Sequence, residues 1–163
     1  MYIAFDQLSP RARVWIYQAS RALTPEESVG CLPQLAQFAE SWTSHGRDLL
    51  ASGVILHQQF LVLGLDEGVA GASGCSIDAS VNFLRGLERQ LGLDLLDKSQ
   101  LAFMDDGKVW QLDRREIGAA VADGRVAPDT FYFDNTLSVK EELMHRWPAP
   151  AGDTWLARYF VPN

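Results

Sequence analysis

Residues 60–91 hold the arrangement that most limits the folds open to this chain. Phe60-Leu61-Val62-Leu63-Gly64-Leu65 is an apolar run rich in large side chains, and a short apolar run bounded by turn residues reads as a buried strand. A loop of small residues follows, with Gly68, Gly71 and Gly74 in it. Residues 77–91 then place Ile77, Val81, Leu84, Leu87 and Leu91 on one helical stripe, with Arg85, Glu88 and Arg89 outside it. Gly92 stands where a helix C-terminal cap belongs. Strand, small-residue loop and helix N-terminus, in that order, can gather backbone N–H groups around an anion.

On the N-terminal side, residues 13–19 are dense in β-formers and predict the first strand. Thr24-Pro25-Glu26-Glu27 predicts a helix start: Thr24 as N-cap, Pro25 at the first helical position, Glu27 completing a capping box. The expected helix runs to about Ser44, with Leu32, Leu35, Ala36, Ala39 and Trp42 as its apolar face. Gly30 and Pro33 predict a kink or break, and Gly46 a stop. Residues 50–58 and 59–66 read as two strands with a turn near Gln58-Gln59.

Further on, Asp106-Gly107 is a hairpin signal between strands at 100–105 and 108–112. A helix is expected at 114–122, closed by Gly124, then a strand at 130–133. A last helix is expected at 138–147, with Ser138 as cap and Pro148 and Pro150 ending it. The tail carries Trp155, Tyr159 and Phe160 and should pack back onto the body. The order of elements over 13–105 is that of a split βαβ, ferredoxin-like unit. The expectation is one α+β domain, 1–163, with a mainly antiparallel sheet and a C-terminal β-hairpin and helix extension. A doubly wound parallel sheet is the alternative, weakened by the lack of helices between the middle strands.

Charge narrows the function classes. Lys and Arg number 14 against 21 Asp and Glu, for a net charge of −7, so no nucleic-acid partner is expected, because phosphate neutralisation needs a basic surplus. The two cysteines, Cys31 and Cys75, make no disulfide framework, and the three histidines, His45, His57 and His145, share no ligand spacing. No metal and no cofactor is expected. Neither a signal peptide nor an unbroken 18-residue apolar stretch is seen, so the expectation is a cytoplasmic protein without membrane insertion.

Gly71-Ala72-Ser73-Gly74-Cys75-Ser76-Ile77-Asp78 resembles the phosphate-binding loop of ATP-binding-cassette ATPases, in which Gly-x-Ser-Gly-Cys-Gly-Lys-Ser is a common wording. Gly71, Ser73, Gly74 and Cys75 match it. The whole chain is similar to a group of short bacterial proteins of unassigned activity that often carry an "ABC transporter ATPase" label. The resemblance implies phosphate binding at the loop. Yet Ser76 stands for the second glycine, Ile77 for the lysine that contacts the β/γ-phosphates, and Asp78 for the magnesium-binding hydroxyl. Without those groups the expectation is that the chain is not an ATPase.

Candidate site residues follow from the same loop. Cys75 at a helix start could be a nucleophile with a lowered pKa, with His57 as its base; it equally suits a small core residue, and burial is the expectation. Ser73, Gly74, Ser76 and Asp78 are candidate ligand contacts. As caps, Ser76 serves directly, or Asp78 sits at the third position behind a Cys75 cap. Trp42 and His45, one turn apart at a helix end, are candidates to line a pocket. Two functions are expected in order: a non-catalytic binding or protein-interaction module, compatible with a homodimer, and then a small enzyme using residues 73–78 with Cys75 as nucleophile.

Overall fold

Residues 60–65 form the middle strand of a three-stranded antiparallel sheet, and every one of them is buried. A strand covered on both faces needs no polar alternation, which is why this run is unbroken. In the computed structural model, which describes residues 1–162, the chain makes two compact units. The first comprises Met1–Asp97 and Leu137–Glu141. It contains β1 (Arg13–Gln18), α1 (Pro25–Ser41), the two-residue strands β2 (Thr43–Ser44) and β3 (Arg47–Asp48), β4 (Ala51–Leu56), β5 (Phe60–Leu65) and α2 (Gly74–Leu91).

The sheet order is β1-β5-β4. Since β5 is antiparallel to both neighbours, β1 and β4 run the same way on either side of it, joined through α1. Both outer edges of this sheet are blunted, as exposed edges must be. Val14 N–H donates to Ser138 O at 2.9 Å beside an Arg13–Val139 bridge, and Tyr2 bridges Ala51 on the β4 side. Two glycines admit neighbours onto opposite faces. A Cβ at Gly53 would lie 3.0 Å from Leu35 Cβ, so α1 seats there; one at Gly64 would lie 2.6 Å from Leu8 Cδ1, where Leu8 and Phe5 cover the other face.

Helix α1 has the expected capping box, Thr24 with Glu27, and Pro25 at its start. It runs unbroken through Pro33, in contrast to the expected kink. Pro33 and Val29 are both exposed, so the carbonyl that Pro33 cannot serve lies on the solvent side. Its buried residues are Cys31, Leu35 and Ala39, whereas Leu32 is 46% exposed. The helix stops at Ser41 with Trp42 as C-cap, short of the expected Ser44. Gly46 closes no helix: with His45 it forms the β2–β3 turn, both at positive φ.

The second unit comprises Lys98–Thr136 and the chain from Glu142 onward. It holds β6 (Gln100–Asp105), β7 (Lys108–Asp113), α3 (Ile117–Ala122), β8 (Phe131–Tyr132), most of α4 (Lys140–Arg146) and β9 (Ala149–Pro150). The antiparallel sheet order is β7-β6-β8-β9, so β6 belongs to this sheet rather than the first. Asp106 (φ 48) and Gly107 (φ 73) make the β6–β7 turn, as their residue types demand. Leu101, Phe103, Leu112, Ile117 and Tyr132 build the core. The tail folds back as the 3-10 turns Ala151–Asp153 and Trp155–Tyr159, burying Ala151 and Leu156 completely. The class is α+β with antiparallel sheets.

Candidate functional site

Most of the sequence candidates meet at the start of α2, in the first unit. The N-cap is Ser73, and the helix begins at Gly74, earlier than expected. Ser73 Oγ accepts from Ser76 N–H at 3.2 Å, Ser73 N–H donates to Ser76 Oγ at 2.7 Å, and that hydroxyl donates to Ser73 O at 2.8 Å. This is a capping box in which serine replaces the usual Glu or Gln. It corrects both expected schemes: neither Cys75 nor Ser76 is the cap, and Asp78 is the fifth helical residue, outside the first turn.

The buried stripe of α2 is Ser76, Ser80, Leu84 and Leu87. Two serines on that stripe hid its phase from a hydrophobicity reading, and Cys75, one residue off it, is exposed. Burial of Cys75 is thereby corrected. The loop before α2 closes on protein groups. Gly68 N–H donates to Asp66 Oδ1 at 3.0 Å, and Glu67 Oε1 accepts from Ala72 N–H and Arg13, both at 3.4 Å. Ala70 and Ala72 pack in the cluster of Trp42, Leu49, Ala51 and Leu65. Neither Gly71 nor Gly74 has a positive φ.

Trp42 is 3% exposed, edge-on to Trp15 at 5.7 Å, and its Nε1 donates to Ser76 O at 2.8 Å. It is a core strut between the end of α1 and the start of α2. His45 is an exposed turn residue (φ 51), so these two do not close a helix together. His57 lies in the β4–β5 turn with Gln58, both at positive φ (52 and 55). Partial desolvation pushes its pKa down although the residue is exposed, and its ring meets Phe60 edge-on at 6.3 Å. His57 precedes the first residue of β5, whereas Cys75 follows the loop leaving the last; a strand of this length spans roughly 17–20 Å. The structure therefore brings together Trp42, Ser73 and Ser76, and leaves His57 at the far end of the sheet.

A cleft missed in the sequence lies in the second unit. It measures about 260 Å³ and is lined by Met104, Asp105 and Trp110 of the β6–β7 hairpin and by Arg125, Asp129, Thr130 and Phe131. Trp110 stacks on Phe103 at 4.7 Å, and Phe131 is 50% exposed. Thr130 Oγ1 accepts from Ala127 N–H at 2.9 Å, setting the turn that carries Asp129. Arg125 is tied through Nε to Asp123 Oδ2 at 2.9 Å; the Arg125 backbone N–H, and then its guanidinium, hold that carboxyl below its usual range. Such a wall offers stacking surface and charge, with neither thiol nor imidazole. The density of aromatic residues in the C-terminal third was its one sequence signal.

Among the described residues no group of three or more His, Cys, Asp or Glu is placed to hold a metal ion, and no helix is long and apolar enough to cross a membrane. Comparison with protein-family models, curated proteins and solved structures gives no match.

Proposed function

We propose that this chain is a non-catalytic cytoplasmic binding module, not an ATPase, and that it engages its partner through the aromatic cleft of the second unit. The observation that carries the reading is the lining itself: exposed Phe131 and half-buried Trp110 beside Asp105 and Asp129. At about 260 Å³ the cleft is below the roughly 300–1,000 Å³ of small-molecule pockets, a size suited to one anchoring side chain of a partner. Against nucleotide binding stand Ile77 and Asp78 at the lysine and hydroxyl positions, and a loop in which the Gly68 and Ser73 N–H groups and the Ser76 hydroxyl are engaged within the protein.

The test is nuclear magnetic resonance with aromatic amino-acid amides and short peptides as probes. Binding should shift the amides of residues 104–110 and 125–131, and Phe131→Ser should abolish the effect. Shifts confined to residues 71–78, or saturable magnesium-ATP binding by calorimetry, would overturn the reading. Sedimentation velocity separates self-association from a foreign partner. The enzyme alternative has one observation in its favour, the exposure of Cys75, and thiol labelling addresses it below.

A further inference from the structure

Trp155, in the second unit, carries two guanidinium groups. Arg114 Cζ lies 5.3 Å from the ring centroid and Arg158 Cζ 4.8 Å, the latter also 5.6 Å from the Tyr159 ring. They arrive from separate stretches: Arg114 opens the 3-10 turn Arg114–Glu116 after β7, and Arg158 belongs to the turn Trp155–Tyr159. Two tyrosines hold the indole in place. Trp155 Nε1 donates to Tyr132 Oη at 3.1 Å, and the rings of Tyr132 and Tyr159 meet the indole edge-on at 6.1 and 6.4 Å.

Both arginines are exposed, and among the described residues neither forms a salt bridge or a side-chain hydrogen bond. Arg13, Arg21, Arg115 and Arg125 each hold a carboxylate, whereas among the described residues the other arginines form no salt bridge; what sets Arg114 and Arg158 apart is the ring they share. The carboxylate of Asp134 is occupied by the N–H and hydroxyl of Thr136. Acids outnumber bases 21 to 14 in this chain, yet among the described residues neither guanidinium on this indole is paired with a carboxylate. Stacking fixes where each guanidinium sits while leaving its in-plane N–H groups open, and that fork matches the oxygens of a phosphate.

We propose that Arg114, Trp155 and Arg158 form a binding site for a phosphate monoester dianion. A carboxylate has one charge and two oxygens and fills one fork; a phosphate monoester brings about two charges and three acceptor oxygens, enough for both. The site uses no residue of the cleft, so it stands or falls independently of the binding-module reading.

The experiment is calorimetry and Trp155-sensitive fluorescence on the whole chain at fixed ionic strength. The probes are inorganic phosphate, phenyl phosphate, and a phosphotyrosine peptide with its unphosphorylated twin. Phosphate-bearing probes should bind and the unphosphorylated peptide should not. Arg114→Gln and Arg158→Gln should each weaken binding about tenfold or more, the loss of a charge-assisted hydrogen bond, with melting temperatures unchanged; Arg158→Lys should lose less. Equal affinity for phenyl phosphate and phosphopeptide points to a small-molecule source, tighter phosphopeptide binding to a protein source, and both support the site. No binding by any phosphate probe at about 10 mM, where even a millimolar affinity would saturate, overturns it. So does binding indifferent to both glutamine variants.

Discussion

The indole Nε1 of Trp42 donates a 2.8 Å hydrogen bond to the carbonyl oxygen of Ser76, and both residues are buried. This one bond fastens the C-cap of α1 to the first turn of α2, 34 positions apart. Trp42→Phe keeps an aromatic ring but leaves the Ser76 carbonyl short of a donor, which should cost about 1–3 kcal/mol. Urea denaturation measures it. An unchanged midpoint would show that water replaces the indole at no cost.

Gly64→Ala should destabilise by about 1–3 kcal/mol through overpacking, since the added methyl would stand 2.6 Å from Leu8 Cδ1. The neighbour is a side chain, so the effect should shrink in a Leu8→Ala background. A double-mutant cycle reads the coupling; additive losses would place the cause elsewhere.

The carboxyl of Glu27 is pulled down to about 2 from an ordinary value of 4.5, first by the hydrogen bonds from Arg21 and then by the backbone N–H of Thr24. A depressed folded-state pKa contributes stability that is present above the unfolded value and lost as pH falls through the folded one. Melting temperature should therefore fall between pH 4.5 and about 2 more steeply for the wild type than for Glu27→Gln. Parallel curves would count against the assignment. At neutral pH, Thr24→Ala should cost about 1 kcal/mol for the lost cap.

Iodoacetamide should add one adduct to the native protein and two after unfolding. Cys75 is exposed, whereas Cys31 is buried, and burial, with Glu27 nearby, pushes its thiol pKa up. Mass spectrometry of the wild type and Cys75→Ser reads the outcome. Labelling of Cys75 at the rate of a free cysteine agrees with a binding module; a rate far above it would favour the enzyme alternative and make Cys75 the first residue to mutate.

The contrast between two turns shows which features were readable in advance. Asp106-Gly107 carries its conformation in its residue types, because glycine tolerates positive φ and Asp is among the residues that visit it. His57-Gln58 takes the same positive-φ form at both positions without a glycine, at a cost of about 1–3 kcal/mol for a residue held there. What holds it is remote: Leu23 N–H on Gln58 O at 2.7 Å, Ala19 N–H on Gln59 O at 2.8 Å and Gln59 Nε2 on Ala19 O at 3.1 Å. No local pattern reveals those bonds. The Arg114, Trp155 and Arg158 cluster was hidden for the same reason, its members being gathered from two separate turns.

From the sequence alone come the α+β class, the α1 capping box, the β6–β7 turn and the strand at 60–65. Each rests on forces acting within a few residues: a side chain reaching its own helix end, a backbone preference, a run of apolar groups. The tertiary structure decided that β6 joins a second sheet, that Ser76 and Ser80 face inward while Cys75 faces out, and that His57 and Cys75 lie apart. Those outcomes depend on which surfaces meet after the chain folds back on itself, where a bond across 34 or 40 positions outweighs the preference of any one residue.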